Sequence, residues 1–191
     1  MTQPEVLFQG MSVTITCYGG VGEIGGNKIL LEDGETRLLL DFGIAFGRQE
    51  QFFNELLRPR SARGLLDPLA LGLLPPLEGL YREDLTLPGL WARFQGAPLY
   101  RNLRRGGKRP AVDAVLISHA HLDHNGDLSY LDGDIPIYTT RVSALIARAM
   151  QVTGTGGLEP FPYRPGNGVG TGPVSPDQPL GTHRRPERQG R

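Results

Sequence analysis

The chain has 191 residues, of which 39% are hydrophobic, and its 20 basic and 20 acidic side chains give no net charge. These values suit one domain with a hydrophobic core, and they exclude the global positive field that attracts nucleic acid. The only cysteine, Cys17, excludes an internal disulfide and fits a reducing compartment. No stretch approaches the roughly 20 apolar residues that span a bilayer, and no signal peptide is visible, so we expect a cytoplasmic protein with no membrane partner.

The first ten residues are set apart from the rest of the chain. The segment Glu5–Gly10, EVLFQG, resembles the recognition site of a viral protease that is used to remove purification tags. Met11 directly behind it is typical of a natural start, so residues 1–10 are excluded from the predicted fold.

The natural part of the chain opens with short β-rich runs. Val13–Cys17, Lys28–Leu31 and Thr36–Leu40 are predicted strands, and Glu32–Glu35 between the last two is a hairpin turn, which predicts an antiparallel start. Cys17 lies within the first run, so we interpret it as a packing residue rather than a ligand.

A glycine-rich segment separates the first two predicted strands. Its glycines let the backbone turn sharply and approach a neighbour or ligand closely: Gly19, Gly20, Gly22, Gly25 and Gly26. The alternative is a phosphate-cradling loop, which is disfavoured because no Gly-Lys-Ser/Thr ending and no helix pattern follow. Asp41 ends the third strand; it is either a carboxylate with a buried partner or a solvated strand end.

Residues 44–110 show no single pattern. Glu50–Leu57 has helical spacing and Gly64–Leu74 is rich in leucine, but the apolar residues beyond have no clear period. Packing on the same domain, a lid over the site and an oligomer contact all remain open for this surface. A basic run closes the segment and is either a phosphate contact or a solvated loop: Arg101, Arg104, Arg105, Lys108 and Arg109.

Three of the four histidines fall within six residues, in ISHAHLDHNG, directly after the predicted buried strand Ala111–Ile117. His119 and His121 project to the same side of extended backbone, while Asp123 and His124 follow on the turn. Imidazole and carboxylate suit zinc-like divalent ions, so the two pairs predict two neighbouring metals that activate a water. A merely polar loop is disfavoured, because clustered and unpaired His and Asp would repel or lie idle.

The α/β pattern continues behind the histidines. A short helix is predicted at Asp127–Leu131, a strand at Ile135–Tyr138 and a helix over Thr140–Met150, which Thr140 caps. From Gly154 to Arg191 there are 9 Gly and 7 Pro in 38 residues, a composition that predicts a disordered or irregular tail.

The motif His-x-His-x-Asp-His after a buried strand resembles the signature of the metallo-β-lactamase superfamily, which has a four-layered αββα hydrolase fold. Tyr18–Lys28, together with Leu38–Gly43, resembles the opening of its ribonuclease J-like, β-CASP nucleases. The resemblance implies that Asp41 orients the metal-binding loop, that residues 44–110 are an insertion, and that further ligands lie downstream. Beyond Met150 the chain offers only Asp177 and His183, and His183 does not resemble a ligand at a strand end.

The resemblance therefore implies an α/β fold: the N-terminal half of a metallo-β-lactamase αββα sandwich over residues 11–153, with an inserted helical segment and an irregular tail over 154–191. The candidate metal ligands are His119, His121, Asp123 and His124, and the catalytic candidates are Asp123 and Asp41. Two divalent ions are implied, with zinc first and manganese second.

The implied function is a metal-dependent hydrolase, a nuclease first, with RNA or DNA as its substrate. A lactonase- or glyoxalase-like hydrolase of a small ester or thioester is the second hypothesis, and a non-catalytic fragment acting through a partner chain is the third. The protein partner would be a second copy or a complementary C-terminal half, and the chain alone is expected to have little activity.

Overall fold

A computed structural model describes residues 6–8, 11–53, 60–107 and 109–153. The predicted tail over residues 154–191 lies outside the described residues. The same holds for Lys108 and for residues 54–57 of the predicted helix Glu50–Leu57.

A six-stranded mixed sheet and a separate two-stranded sheet organise the described residues. In chain order the strands are β1 Val6–Phe8, β2 Met11–Gly19, β3 Lys28–Asp33, β4 Thr36–Leu40, β5 Leu77–Glu78, β6 Arg101–Asn102, β7 Ala114–Leu116 and β8 Ile137–Tyr138. The larger sheet has the order β1-β2-β3-β4-β7-β8, and β5 pairs with β6. The α-helices are α1 Phe46–Phe52, α2 Leu66–Ala70, α3 Leu122–Asn125 and α4 Arg141–Thr153, and 3₁₀ turns lie at Ser61–Arg63, Glu83–Leu85, Trp91–Arg93 and Leu128–Tyr130.

The predicted antiparallel start is confirmed. Strands β2, β3 and β4 are antiparallel neighbours, and the hairpin closes at the pair Asp33 and Thr36 around Gly34, whose φ of 57° favours glycine. Strand β7 then joins β4 in parallel, with Leu39 opposite Val115, and β8 joins β7 in parallel. The mixed sheet with its helices is the partial metallo-β-lactamase-type α/β arrangement that the sequence implies, and the site strand lies in its interior.

The exclusion of residues 1–10 from the fold is wrong for three of them. Strand β1 pairs antiparallel with β2, so that Val6 lies opposite Val13 and Phe8 opposite Met11. The physical reason is that β2 otherwise ends the sheet with a row of unpaired backbone groups, which an apolar, β-prone Val-Leu-Phe segment can satisfy.

The segment 44–110 packs onto the sheet rather than forming a separate body. Its buried side chains share one hydrophobic core with Leu30, Leu39 and Val115 of strands β3, β4 and β7. The buried residues that the segment contributes are Leu65, Leu74, Leu77, Leu80, Trp91 and Leu103. This contact favours packing on the same domain over a lid or an oligomer contact. The segment also contains the parallel pair β5 and β6. Helix α1 ends before Phe53, whose backbone is extended, so the predicted helix Glu50–Leu57 is wrong at that residue.

The four arginines of the basic run are paired with carboxylates of the described residues. Every arginine in it has a carboxylate within salt-bridge distance: Arg101 with Glu32, Arg104 with Glu78, Arg105 with Asp113, and Arg109 with both Glu35 and Asp113. The pairs of Arg101, Arg105 and Arg109 connect the end of the insertion to the β3–β4 hairpin and to Asp113 before β7, while Arg104–Glu78 lies within the insertion. A phosphate at these arginines would have to compete with the carboxylates, and Arg104 and Arg109 are exposed, which favours the interpretation as a solvated loop.

We expect Asp113→Asn to lower the free energy of unfolding by about 1–2 kcal/mol at pH 7, because the Asp113 carboxylate accepts charged hydrogen bonds from Arg105 and Arg109 and is only partly exposed. The Arg105 guanidinium holds the pKa of Asp113 well below its usual range. The contribution is therefore full above the unfolded pKa near 4 and is lost as the pH falls through the lower folded pKa.

Urea unfolding of the wild type and Asp113→Asn at pH 7 and pH 2.5 checks this, with Glu35→Gln as the matched control. Glu35 is 91% exposed in its pair with Arg109, so its neutralisation should have little effect. A stability difference for Asp113→Asn that does not shrink on acidification would contradict the assignment.

Two apolar surfaces are left uncovered by the described residues. Val13 and Ile15 of β2 are 38% and 52% exposed, and the apolar stripe of α4 is exposed at Val142, Leu145, Ile146 and Met150.

Cys17 shares the exposed side of β2, so its interpretation as a packing residue is wrong: strand alternation buries Thr16 instead. The α4 helix itself is confirmed, and the Thr140 hydroxyl accepts a hydrogen bond from the Ser143 N–H at 3.1 Å, as an N-cap should.

Candidate metal centre

The four predicted ligands lie in one turn that leaves the carboxyl end of β7. Residues 117–121 form an open loop, and α3 begins directly after His121, whose backbone is extended. The turn is short because α3 spans only Leu122–Asn125, so its first residues bring Asp123 and His124 back towards the preceding histidines. A site at the carboxyl end of parallel strands is held by the rigid β4–β7–β8 ladder.

Three of the four predicted ligands converge, and the fourth, His121, lies beside one of them. His119, Asp123 and His124 each offer one ligand atom, and these atoms all lie within 4.8 Å of one another. His121 joins from the exposed side, with its Nδ1 at 3.1 Å from the Nε2 of His119. The ring centroids of His119 and His124 are 4.0 Å apart, and those of His119 and His121 are 4.7 Å apart. His119 therefore lies between its predicted partner His121 and a member of the other predicted pair, His124.

Asp41 lies directly beneath this group. Its two carboxylate oxygens accept hydrogen bonds from the Ser118 N–H at 2.8 Å and the Ser118 hydroxyl at 2.9 Å, and Oδ2 lies 2.8 Å from Nδ1 of His124. With Nδ1 of His124 facing Asp41, Nε2 is left facing Asp123, whose Oδ2 is 3.4 Å away. The backbone of Asp41 has a φ of 56°, a conformation that costs energy for a residue with a side chain and persists where the surroundings impose it.

Two further side chains at the site were not singled out in the sequence. The Ser118 hydroxyl lies 3.0 Å from Nδ1 of His119 and 3.2 Å from Nδ1 of His124, so one hydroxyl touches two predicted ligands. The Asn27 amide nitrogen lies 3.4 Å from the His124 ring nitrogens. The position of Ser118 directly before His119 was an available signal; the contact of Asn27 depends on the tertiary fold alone.

Glycines let the backbone directly before β3 pack against the turn that carries the candidate ligands. The Gly26 and Asn27 N–H groups both approach the Asp123 carbonyl, at 3.1 and 3.3 Å, and the Phe42 N–H donates to the His124 carbonyl at 2.8 Å. A Cβ atom on Gly43 would lie 1.7 Å from the Asp123 carbonyl oxygen. The close-approach interpretation of this glycine-rich region is therefore confirmed, and the neighbour is the turn that carries the candidate ligands Asp123 and His124.

The donor set fits a divalent metal ion. Imidazole nitrogens and a carboxylate oxygen are the ligands that zinc accepts, and manganese tolerates the same set. Partners behind ligands orient their rings and fix their tautomers, and Asp41 stands in that relation to His124.

Comparisons with known proteins show the family of the chain. The sequence profile of the metallo-beta-lactamase superfamily matches residues 88–185, just over half of the chain. Ribonuclease J of Helicobacter pylori is 27% identical over 134 residues, which are 69% of this chain and 14% of that protein. The transcription termination factor FttA of Thermococcus kodakarensis is 29% identical over 164 residues, which are 80% of this chain and 19% of that protein.

Among solved structures, a protein of unknown function from Enterococcus faecalis superposes with a TM-score of 0.53 at 25% identity, covering 81% of this chain and 31% of that one. The chain thus spans less than a fifth of the length of these curated relatives. The fold and the profile match define the class of protein, a metallo-β-lactamase-type fold with a candidate metal site.

The chain belongs to the metallo-β-lactamase superfamily, and its relatives support the ribonuclease J and β-CASP branch. This fold implies divalent metal binding. Among the described helices, none combines the length and apolar character that a membrane span requires.

Proposed function

We propose that this chain carries the metal-binding part of a hydrolase that cleaves phosphodiester bonds in RNA or DNA. The observation that carries the proposal is the convergence of His119, Asp123 and His124, with one ligand atom from each within 4.8 Å of the others. The similarity to a ribonuclease and to a transcription termination factor supports nucleic acid as the substrate class. Such a substrate also favours the cytoplasm as the compartment.

The proposed roles keep the pairing suggested by the sequence motif, while the structure groups one ligand atom each from His119, Asp123 and His124. His119 and His121 would hold one ion and Asp123 and His124 a second, with zinc first and manganese second. When bound, the ions would lower the pKa of a water and neutralise charge that develops on the phosphodiester. Asp41 holds His124 and Ser118 in place, so it is proposed to act through the ligands rather than on the substrate.

A small ester or thioester remains the second candidate substrate. It is favoured by one observation: the arginines of the basic run are paired with carboxylates and give no independent support for a phosphate. A role through a partner chain remains the third candidate. The exposed apolar residues of β2 and α4 support it, because contiguous apolar surface is typical of an interaction site.

The metal site is tested by the double variant His119→Ala/His121→Ala. We expect purified wild-type chain to bind a divalent ion and the double variant to lose most of the ion held by these two side chains, since each ion has few ligands from this turn. Metal content after dialysis, measured by mass spectrometry, checks the expectation.

His183→Ala is the matched control, because His183 is the fourth histidine of the chain and lies outside the described residues. It should leave the metal content unchanged. Equal metal content in the double variant and the wild type would remove the basis of the site.

The substrate is tested by supplying single-stranded RNA, single-stranded DNA and a small thioester to the chain with zinc or manganese. The nuclease proposal expects metal-dependent cleavage of a nucleic acid that Asp123→Asn abolishes. Thioester hydrolysis with the same dependence on Asp123 would favour the second candidate. Metal binding without hydrolysis of any of the three would favour the third.

A further inference from the structure

A lysine and an aspartate form a buried ion pair directly behind the candidate ligand turn. The Lys28 ammonium lies 2.8 Å from an Asp127 carboxylate oxygen, and the two side chains are 2% and 9% exposed. Lys28 opens β3, and Asp127 follows α3 by two residues. Neither belongs to the histidine motif, and the proposed chemistry uses neither.

The pair joins three segments that meet at the site. The Lys28 ammonium also donates to the Gly43 carbonyl and lies 5.1 Å from the centre of the Phe42 ring. The Asp127 N–H donates to the Phe42 carbonyl at 3.0 Å. The pair thus connects three segments: the start of β3, the segment after β4 and the turn after α3.

Two of these segments, the start of β3 and the segment after β4, carry residues that touch His124. Asn27 precedes Lys28, and its amide approaches the His124 ring. Asp41 precedes Phe42 and lies 2.8 Å from Nδ1 of His124, while the Phe42 N–H donates to the His124 carbonyl at 2.8 Å. The pair is thus linked through Asn27, Asp41 and Phe42 to the position of His124.

Stability alone is a weak reason for such a pair. Burying two charges carries a desolvation cost of several kcal/mol per ion, and apolar residues of similar volume are often equally stable or better. Burial raises the pKa of Asp127, while the nearby Lys28 opposes that change, so the environment disfavours the carboxylate that the pair requires.

We propose that Lys28 and Asp127 are positioning residues that set the spacing between Asp41 and the metal-ligand turn. The inference rests on the proposed metal site, and it adds that metal affinity depends on two residues that never touch the metal. Partners behind a ligand typically contribute a factor of about 10–100 in metal affinity, which sets the size of the expected effect.

The test measures cobalt(II) affinity and the visible absorption spectrum of the bound ion, together with thermal unfolding of the metal-free chain. Two variants are compared with the wild type. Lys28→Met/Asp127→Leu removes both charges at similar volume, so that no unpaired buried charge remains. Asp127→Glu keeps the charge pair and lengthens one side chain by a methylene, which disturbs geometry alone.

Arg60→Gln/Asp67→Asn is the matched control. This variant removes the charges of an ion pair that lies in the insertion and in which Arg60 is 64% exposed. The control should bind cobalt as the wild type does.

We expect both site variants to bind cobalt at least about tenfold more weakly than the wild type, with an altered spectrum, at temperatures below their unfolding midpoints. If the apolar double variant fails to fold, Asp127→Glu alone decides. Wild-type affinity and spectrum in a folded Asp127→Glu or double variant would overturn the positioning role. Failure of the wild-type chain to bind cobalt would instead contradict the proposed metal site, so the two failures are distinguishable.

Discussion

Gly43→Ala is expected to destabilise the fold by about 3 kcal/mol or more and to weaken metal binding, because overpacking against backbone cannot be relieved by a rotamer change. The added Cβ atom would lie 1.7 Å from the Asp123 carbonyl oxygen, 2.0 Å from its carbonyl carbon and 2.4 Å from the His124 nitrogen. Two neighbouring candidate ligands would have to shift together. Urea unfolding of the metal-free chain and cobalt titration measure the two effects separately.

Gly47→Ala is the matched control for this steric effect. Gly47 lies in α1, and a Cβ atom there would have no neighbour within 4 Å. Because alanine favours helix over glycine by up to about 1 kcal/mol, the control should be as stable as the wild type or slightly more so. Equal stability of Gly43→Ala and Gly47→Ala would show that the turn and the β4 exit are not in the close contact described.

The local patterns of this sequence predict the sheet and the candidate ligands well. The runs of β2, β3 and β4 have β-branched and leucine residues with a glycine turn between them, so both strand type and antiparallel pairing follow from neighbours in the chain. The convergence of His119 with Asp123 and His124 is equally local, since all three lie within one six-residue segment that follows a strand.

The parts that the sequence did not predict depend on distant contacts. Cys17 is in a β pattern, but which side of β2 is covered depends on where the insertion packs, and no local signal fixes that. The basic run illustrates the same limit. Its arginines look like a patch for a polyanion, yet Glu32 and Glu78, far away in sequence, neutralise Arg101 and Arg104. Lys28 and Asp127 are separated by 99 positions and meet only in the folded chain.

Asp41 combines a local and a distant signal. Its place at the end of an apolar strand marks it as a carboxylate that needs a partner, and the superfamily resemblance supplies the ligand turn as that partner. The fold adds what neither could give: the hydrogen bonds to Ser118, the approach to Nδ1 of His124 and the positive φ. In this backbone conformation both carboxylate oxygens of Asp41 have hydrogen-bond partners. The residue is therefore suited to hold Ser118 and His124 in a fixed position relative to the end of β4.

Asp41→Asn should therefore weaken metal binding by about 10–100-fold while the chain remains folded, since asparagine tolerates a positive φ and keeps the shape of the side chain. The amide has one acceptor oxygen in place of two, so it cannot accept from both the Ser118 N–H and hydroxyl as the carboxylate does and also stabilise a donating His124 ring. Asp41→Ala loses all three contacts and also the short polar side chain that helps Asp and Asn to adopt a left-handed backbone, so it should be clearly less stable.

Asp132→Asn is the matched control, because Asp132 likewise accepts a backbone hydrogen bond, from the Asp134 N–H at 2.8 Å, in a turn outside the ligand group. Cobalt affinity and urea unfolding of the three variants separate orientation of the ligands from simple stability. If Asp41 orients His124, affinity falls in Asp41→Asn and Asp41→Ala and is unchanged in Asp132→Asn, whereas stability falls most in Asp41→Ala. Wild-type cobalt affinity in Asp41→Asn would mean that the hydrogen bonds to Ser118 serve the turn alone and that His124 keeps its orientation without the carboxylate.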